Sequence, residues 1–442
     1  MKITGIICEY NPFHNGHQYQ ISKIKQYPDD YVIAVMSGDF VQRGGPAIID
    51  KYSRTLMALK SGVDLVIELP VLYSTGSARD FAFGGVSLLD SLGCVDELSF
   101  GCESPKAESF NAVSDLIIGN AETIEKEIAE QMKKGYSYPK AREIVLLRYL
   151  DPHVVEGLSK PNNILAIEYR IALGKLGSKI ACSPILRHGS DYNDEELSMI
   201  TNSSATSIRN AIISSYDFSL DHDDGYIESK PYENPSTYMS ITGEPVRQAM
   251  SEPLSVIRSH VPATTYEILL EKFGRTYPLI YNNFSREVGY KLILEAENGF
   301  EDYLDVSREL SDKIIKNLGY FKSIDQFCNL LKSKDITYSR ISRCMTHILL
   351  DIKKNTLPRE TRPGYARILG FRKNSEELLG IIKENSSIPM ISKLADASKY
   401  LSEDNMRMLE KDIQAAHIYD LVSACKYQYE LMNEYTRQII IV

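Results

Sequence analysis

Up to about residue 210 the chain alternates short strand-like apolar runs with segments of helical periodicity. That alternation narrows its possible folds more than any other feature. The strand-like runs cover 2–8, 31–36, 64–69, 97–100 and 179–185, with helical patterns over 17–26, 51–60, 80–92, 109–117 and 162–176. Strands separated by helices of this length imply βαβ units and a parallel sheet, hence an α/β fold. From 214 to 246 turn formers and acids replace the periodicity, and the segment reads as an irregular connection. Beyond it helical patterns dominate (255–273, 307–317, 323–332, 340–353), with a small β element expected around 365–371. The chain therefore divides into an α/β domain over 1–213, a connection over 214–246 and a mainly helical domain over 247–442.

Its 442 residues suffice for a sizeable core. No apolar run approaches the roughly 20 residues that span a bilayer, and the N-terminus lacks a signal-peptide pattern, so no membrane is expected. The seven cysteines are scattered, odd in number and form no CxxC pair, which argues against a disulfide framework or zinc cluster and for a reducing cytoplasm. The net charge of −9 hides an uneven distribution. From residue 332 to 373 there are 11 Lys and Arg against three Asp and Glu. For phosphate contacts a local basic surface matters more than the total.

The first strand-like run leads into "CEYNPFHNGHQYQ", Cys8 to Gln20. Pro12, Asn15-Gly16 and two histidines are poor material for continuing a strand. In open α/β sheets ligands bind at the carboxyl ends of strands. If His17 opens the next helix, backbone N–H groups there form an anion site, and Gly16 lets a phosphate approach without a Cβ in the way. His14 and His17, three residues apart, could both donate to charge building on an α-phosphate during nucleotidyl transfer. A second constellation, "SSATSIR", opens a helix after the last strand. Ser204, Thr206 and Arg209 could bind a polyphosphate tail there, or simply cap a helix. Asp39, on the loop after the second strand, is given no catalytic role.

An HxGH after the first strand with an SSxxxR-like motif closing the α/β region resembles the nucleotidylyltransferase superfamily. The surrounding words "EYNPFHNGH", "VMSGDFVQRGGPAI", "DLVIELP", "FGCES", "KPNNILAIEY" and "ILRHGSDYND", with "YSRISR" and "YARILGF" further on, are similar to the tRNA(Met) cytidine acetate ligases. The resemblance spans essentially the whole chain. It implies a Rossmann-like nucleotidylyltransferase domain followed by a mainly helical, tRNA-presenting one. It implies that acetate attacks the α-phosphate of ATP, giving acetyl-adenylate and pyrophosphate. The exocyclic amine of the wobble cytidine in elongator tRNA(Met) then takes the acetyl group, leaving N4-acetylcytidine and AMP. The nucleic-acid partner is thus RNA and not DNA.

The family's ATP contacts fall on Ile7, Cys8, Glu9, Tyr10, Asn11, Pro12, Phe13, His14, Asn15, Gly16, His17 and Gln20. They fall also on Gly101, on Asn162 or Asn163, and on Arg187. Read alone, Gly101 ends a strand where a missing side chain admits a nucleotide. One asparagine caps a helix while the other binds, and Arg187 suits a bidentate phosphate contact. Magnesium is expected with ATP, although no acidic ligand set stands out. In the basic stretch, Arg340 and Arg343 share a helix face with Lys332 and Lys334 nearby, and Tyr338 could stack on a base. Two other readings share these motifs: a small-molecule adenylyltransferase or cytidylyltransferase, and a silent nucleotide-sensing RNA-binding protein.

Overall fold

Runs such as Tyr31-Val-Ile-Ala-Val-Met are apolar at every position, the pattern of strands covered on both faces rather than one. In the computed structural model, which describes residues 1–103, 107–136, 138–155, 160–186, 204–221, 254–356 and 361–442, they behave accordingly. The first five strands are β1 (Ile3–Cys8), β2 (Tyr31–Ser37), β3 (Leu65–Leu69), β4 (Glu97–Cys102) and β5 (Ala181–Leu186), and every residue of β1, β2 and β3 is buried. Their side chains alternate between two cores. Ile33, Val35 and Ile67 enter one cluster, while Val32, Ala34, Met36 and Val66 enter the other.

These five strands are parallel, in the order β5-β4-β1-β2-β3. The chain winds from β1 to β2 and β3 on one side, then returns to place β4 on the other. The strand order therefore reverses at β1, and the crevice between β1 and β4 is where such sheets bind ligands. The helices follow the expected periodicity with local shifts. Helix α1 covers Asn15–Ile24, two residues earlier than its pattern predicts, because His14 caps it. Helix α2 covers Lys51–Lys60, capped by Asp50, whose carboxylate accepts from Ser53 N at 2.9 Å. A further helix, Pro161–Leu176, has its proline at the first position, where no N–H is missed.

The later part of the chain is helical as expected, including Ala263–Lys272, Ser285–Glu295, Tyr338–Leu349 and the 25-residue Glu403–Tyr427. The single helix expected over 255–273 is instead a short 3-10 turn, Ser255–Ile257, and a helix starting after Pro262, since a proline cannot sit inside an α-helix without losing a hydrogen bond. The helix Ala205–Asp221 runs into the stretch expected to be irregular, and the rest of that connection lies outside the described residues.

The β element expected near 365–371 is β6 (Ala366–Phe371), and it joins the central sheet antiparallel to β3, with Glu68 opposite Arg367 and Ile67 opposite Ile368. The two-residue strands β7 (Met390–Ile391) and β8 (Ile440–Ile441) flank it. The C-terminal part thus contributes strands to the sheet as well as helices around it.

Under that junction lies a ring of buried charge. Lys51 on α2 contacts Glu434 Oε1 at 2.5 Å and Glu68 Oε1 at 2.9 Å. Arg367 meets Glu68 Oε2 at 2.7 Å and the same Glu434 oxygen at 2.6 Å. Two cations alternate with two anions, so each buried charge is paired on both sides, which the interior requires.

Candidate active site

At the end of β1 the backbone turns sharply: Tyr10 is 1% exposed and adopts φ 46°, the left-handed region that a non-glycine residue takes only where its surroundings hold it. Behind it, the His14 Nδ1 accepts from Gly16 N at 3.0 Å, and the His17 Nδ1 accepts from His14 N at 3.2 Å. The pair forms a capping box in which both polar side chains are imidazoles. The geometry has a chemical consequence. A ring nitrogen that accepts carries no proton, so each ring bears its proton on Nε2. The two rings stack with centroids 3.8 Å apart and an interplanar angle of 27°. Tyr10 and Phe13 brace His17 at 4.8 and 5.4 Å. Gly16 has a second reason to be glycine: a Cβ there would lie 2.8 Å from His14 Cε1.

These residues line a cavity of about 410 Å³ at the β1–β4 crevice. From the first stretch Ile7, Cys8, Glu9, Tyr10, Asn11, His14, Gly16, His17 and Gln20 line it, and Pro12, Phe13 and Asn15 do not. Phe13 is fully buried behind His17, while Asn15 anchors α1 by donating from Nδ2 to Ser259 O at 2.8 Å. Gly101 lines it from within β4, next to Ser99 and Phe100.

Of the two asparagines, Asn162 reaches the cavity. Asn163 is 1% exposed and its Oδ1 accepts from Glu103 N at 3.0 Å. The Glu103 carboxylate in turn accepts from both Asn162 N at 3.3 Å and Asn163 N at 3.1 Å, so it caps this helix. Nothing in the local spacing of "FGCES" and "KPNN" signalled that cap, because the two segments meet only through the β4–β5 pairing.

Thr206 and Arg209 line the cavity from the helix Ala205–Asp221. Ser204 does not; its Oγ accepts from Ser207 N at 3.1 Å as a cap. Arg209 is tied to Asn11 O at 2.8 Å and to Thr206 Oγ1 at 3.0 Å, which fixes its guanidinium beside the turn after β1. Arg187 lies outside the described residues.

Cys8 lines the cavity as a protonated thiol rather than a thiolate. Burial pushes its thiol well above the ordinary range, and the thiolate is the reactive form. Asp39 is buried below the site, accepting from Lys51 N at 2.8 Å, and burial raises its carboxyl to about 7. Among the described residues no group of three or more His, Cys, Asp or Glu side chains is arranged to hold a metal ion.

Of the basic stretch, Lys332, Lys334, Arg340 and Arg343 do not line this cavity. Arg343 Nε is 2.9 Å from Asp305 Oδ2, and Arg340 Nη2 donates to Asp305 O at 3.2 Å, so both arginines converge on one residue. Lys332 and Lys334 are exposed. The hydroxyl of Tyr338 bonds Asp325 and its ring packs against the helical core, a position that leaves less of the ring for stacking on a base. The sequence motifs assigned no role to one part of the lining: the loop Gln42, Arg43, Gly44, Gly45, Pro46, with Tyr281 beside it. A Gly-Gly pair is a local turn signal, but it does not indicate which way the turn faces.

The first N–H groups of α1 are already bonded, Asn15 N to His260 O at 3.1 Å, Gly16 N to His14 Nδ1 at 3.0 Å and His17 N to His14 O at 2.9 Å, so the anion site expected from backbone N–H groups there is not formed by them. Two imidazoles lining a crevice at the sheet's switch point are the arrangement that fits nucleotidyl transfer. The model of the HIGH Nucleotidyl Transferase family matches residues 1–434, and the chain belongs to that family. Within it, proteins named tRNA(Met) cytidine acetate ligase match along nearly their whole length. One from a Thermoanaerobacter species is 38% identical over 95% of each chain, one from Clostridium perfringens 37% over 96% of each. One from Thermosipho melanesiensis is 35% identical over 100% of this chain and 99% of its own. The crystal structure of Thermotoga maritima TmcAL bound with alpha-thio ATP superposes with a TM-score of 0.84 at 28% identity, covering all of both chains. Among the described residues, no helix is long and apolar enough to cross a membrane.

Proposed function

We propose that this protein is an ATP-dependent ligase that acetylates the wobble cytidine of elongator tRNA(Met). An acetate oxygen attacks the α-phosphorus and the bond to pyrophosphate breaks. The cytidine N4 then attacks the acetyl carbon, AMP leaves, and the amine loses a proton. The observation that carries this reading is the stacked His14–His17 pair lining the cavity, whose Nε2 groups would donate to charge building on the α-phosphate during the first step. Near-complete alignment with ligases of this name supplies the acid and the acceptor.

Gln20, Gly101 and Asn162 would take the nucleoside, and Thr206 and Arg209 the phosphate tail. The cavity position of Asn162 favours it over Asn163. Magnesium would arrive on the ATP phosphates, keeping most of its water, with Glu9 the acidic residue of the lining among those described. Lys332, Lys334, Arg340 and Arg343 would meet RNA phosphates, in a cytoplasmic setting.

The test is paired. Acetate-dependent ATP–pyrophosphate exchange is measured without RNA, and nucleosides from treated tRNA are analysed by mass spectrometry. Exchange with acetate and N4-acetylcytidine at the wobble position are expected. Exchange driven instead by a small phosphate ester, with no tRNA product, would favour a small-molecule adenylyltransferase.

A further inference from the structure

Across β1 from Gly101 and Asn162, a hairpin loop closes the cavity. It is bounded by the bridge between Phe40 and Pro46, with Val41 N donating to Gly45 O at 3.0 Å and Gly44 N to Val41 O at 2.9 Å. The loop touches two things at once. Toward the cavity, Gln42 N donates to Glu9 Oε1 at 3.0 Å, which ties it to the end of β1. On its other side it lies directly on the helix Tyr338–Leu349. Ser342 Oγ donates to Gly44 O at 2.7 Å, and a Cβ at Gly44, whose φ is +76°, would stand 2.4 Å from Arg343 N. Only glycine permits both that backbone shape and that approach.

Arg43 is the tip of this loop, exposed yet lining the cavity. Its neighbour Gly44 touches the backbone of Arg343, and Arg340 and Arg343 are both set by Asp305. Three arginines thus belong to adjoining elements, and of these Arg43 lines the cavity. Acetate has no need of a rim cation, since it must travel inward to the imidazole pair. A cytidine in an RNA loop has such a need, because its base must leave the stack while its phosphates stay outside. Guanidinium also matches phosphate bidentately.

Resting on the function proposed above, we infer that Arg43 binds the RNA phosphate next to the target cytidine, and that the loop 41–45 is the sill over which that nucleotide enters. The experiment compares wild type with Arg43→Gln and Arg43→Lys in acetate-dependent exchange without RNA, in acetyl transfer to tRNA(Met), and in tRNA binding across a salt series. A melting curve controls for folding. Arg43→Gln is expected to lower kcat/KM for transfer by about 10- to 100-fold, and by at least tenfold more than it lowers exchange. It should reduce the slope of log K against log salt by about 0.7, the value for one single-strand contact. Arg43→Lys should keep the slope and recover part of the transfer.

Equal losses in exchange and transfer would place Arg43 on ATP and overturn the inference. An unchanged salt slope and unchanged transfer in Arg43→Gln would overturn it too, leaving the loop a bare rim. A wild-type protein that exchanges acetate but never modifies tRNA would instead remove the functional reading on which the inference stands.

Discussion

The residues proposed to act on the α-phosphate are two imidazoles, each with its Nδ1 already in use. His14 and His17 spend Nδ1 on backbone N–H groups and so present Nε2–H, a tautomer the fold sets rather than the substrate. Preorganised donors of this kind act on the transition state more than on the bound ground state. Replacing His17 by Ala is therefore expected to lower turnover by about 10²–10³ while the Kd for ATP changes far less. Single-turnover rates beside equilibrium binding measure the two separately, and an equal loss in both would assign the ring to ground-state binding. His14→Ala removes a cap as well and should also cost about 1 kcal/mol of stability, read from denaturant unfolding. The sequence carried the pair's presence and place, since HNGH after an apolar run is a strong local signal. It did not carry the capping box, because imidazoles are rare in that role and the usual cap residues gave no cue.

At the scale of elements, β6 and the turn at Glu434 complete what β3 and α2 begin. The buried ring of Lys51, Glu68, Arg367 and Glu434 draws its members from 51 to 434 along the chain. No local pattern announces such a ring. The five parallel strands were legible because each is a continuous apolar run. The antiparallel seating of β6 on β3 was not, since its register depends on a partner some 300 residues away. Burial alone would raise the Glu434 carboxyl, but Lys51 and Arg367 outweigh it and hold Glu434 below the ordinary carboxylate range.

A depressed native pKa contributes stability above the unfolded value, near 4.3, that is lost as pH falls below it. Stability should therefore drop between roughly pH 4 and more acid values by more in the wild type than in Glu434→Gln. At neutral pH that variant should be less stable by about 3–5 kcal/mol, because it leaves buried cations short of a partner. Urea midpoints from pH 2.5 to 7 test both, and parallel curves would show that the ring does not titrate.

For the whole molecule, the division into an α/β part and a helical part describes sequence character more closely than it describes folding. Contacts cross it throughout. Leu279 N donates to Ile48 O at 3.0 Å, Tyr419 OH to Ala47 O at 3.0 Å, and Val71 N to Asp412 Oδ1 at 2.6 Å. His347, fully buried, places Nδ1 3.0 Å from Leu304 O and Nε2 3.0 Å from Thr75 O, and so bridges the two parts. An isolated N-terminal part would expose the edge of β3 and leave Lys51 and Glu68 without Arg367 and Glu434. Such an edge invites association with other chains.

Two consequences follow from one cause. A fragment of residues 1–221 should be insoluble or fail to bind ATP, whereas the full chain should unfold in one cooperative calorimetric transition. ATP at 100 times its Kd should stabilise that transition as a unit, by about 2.7 kcal/mol. Two separable transitions, with ATP shifting only one, would show that the parts fold independently. In that case the cavity's outer wall, including the loop that carries Arg43, could move relative to the helix Tyr338–Leu349. A single transition means instead that ATP bound in the cavity stabilises the loop that carries Arg43 together with the rest of the fold, through the same sheet and the same buried charges.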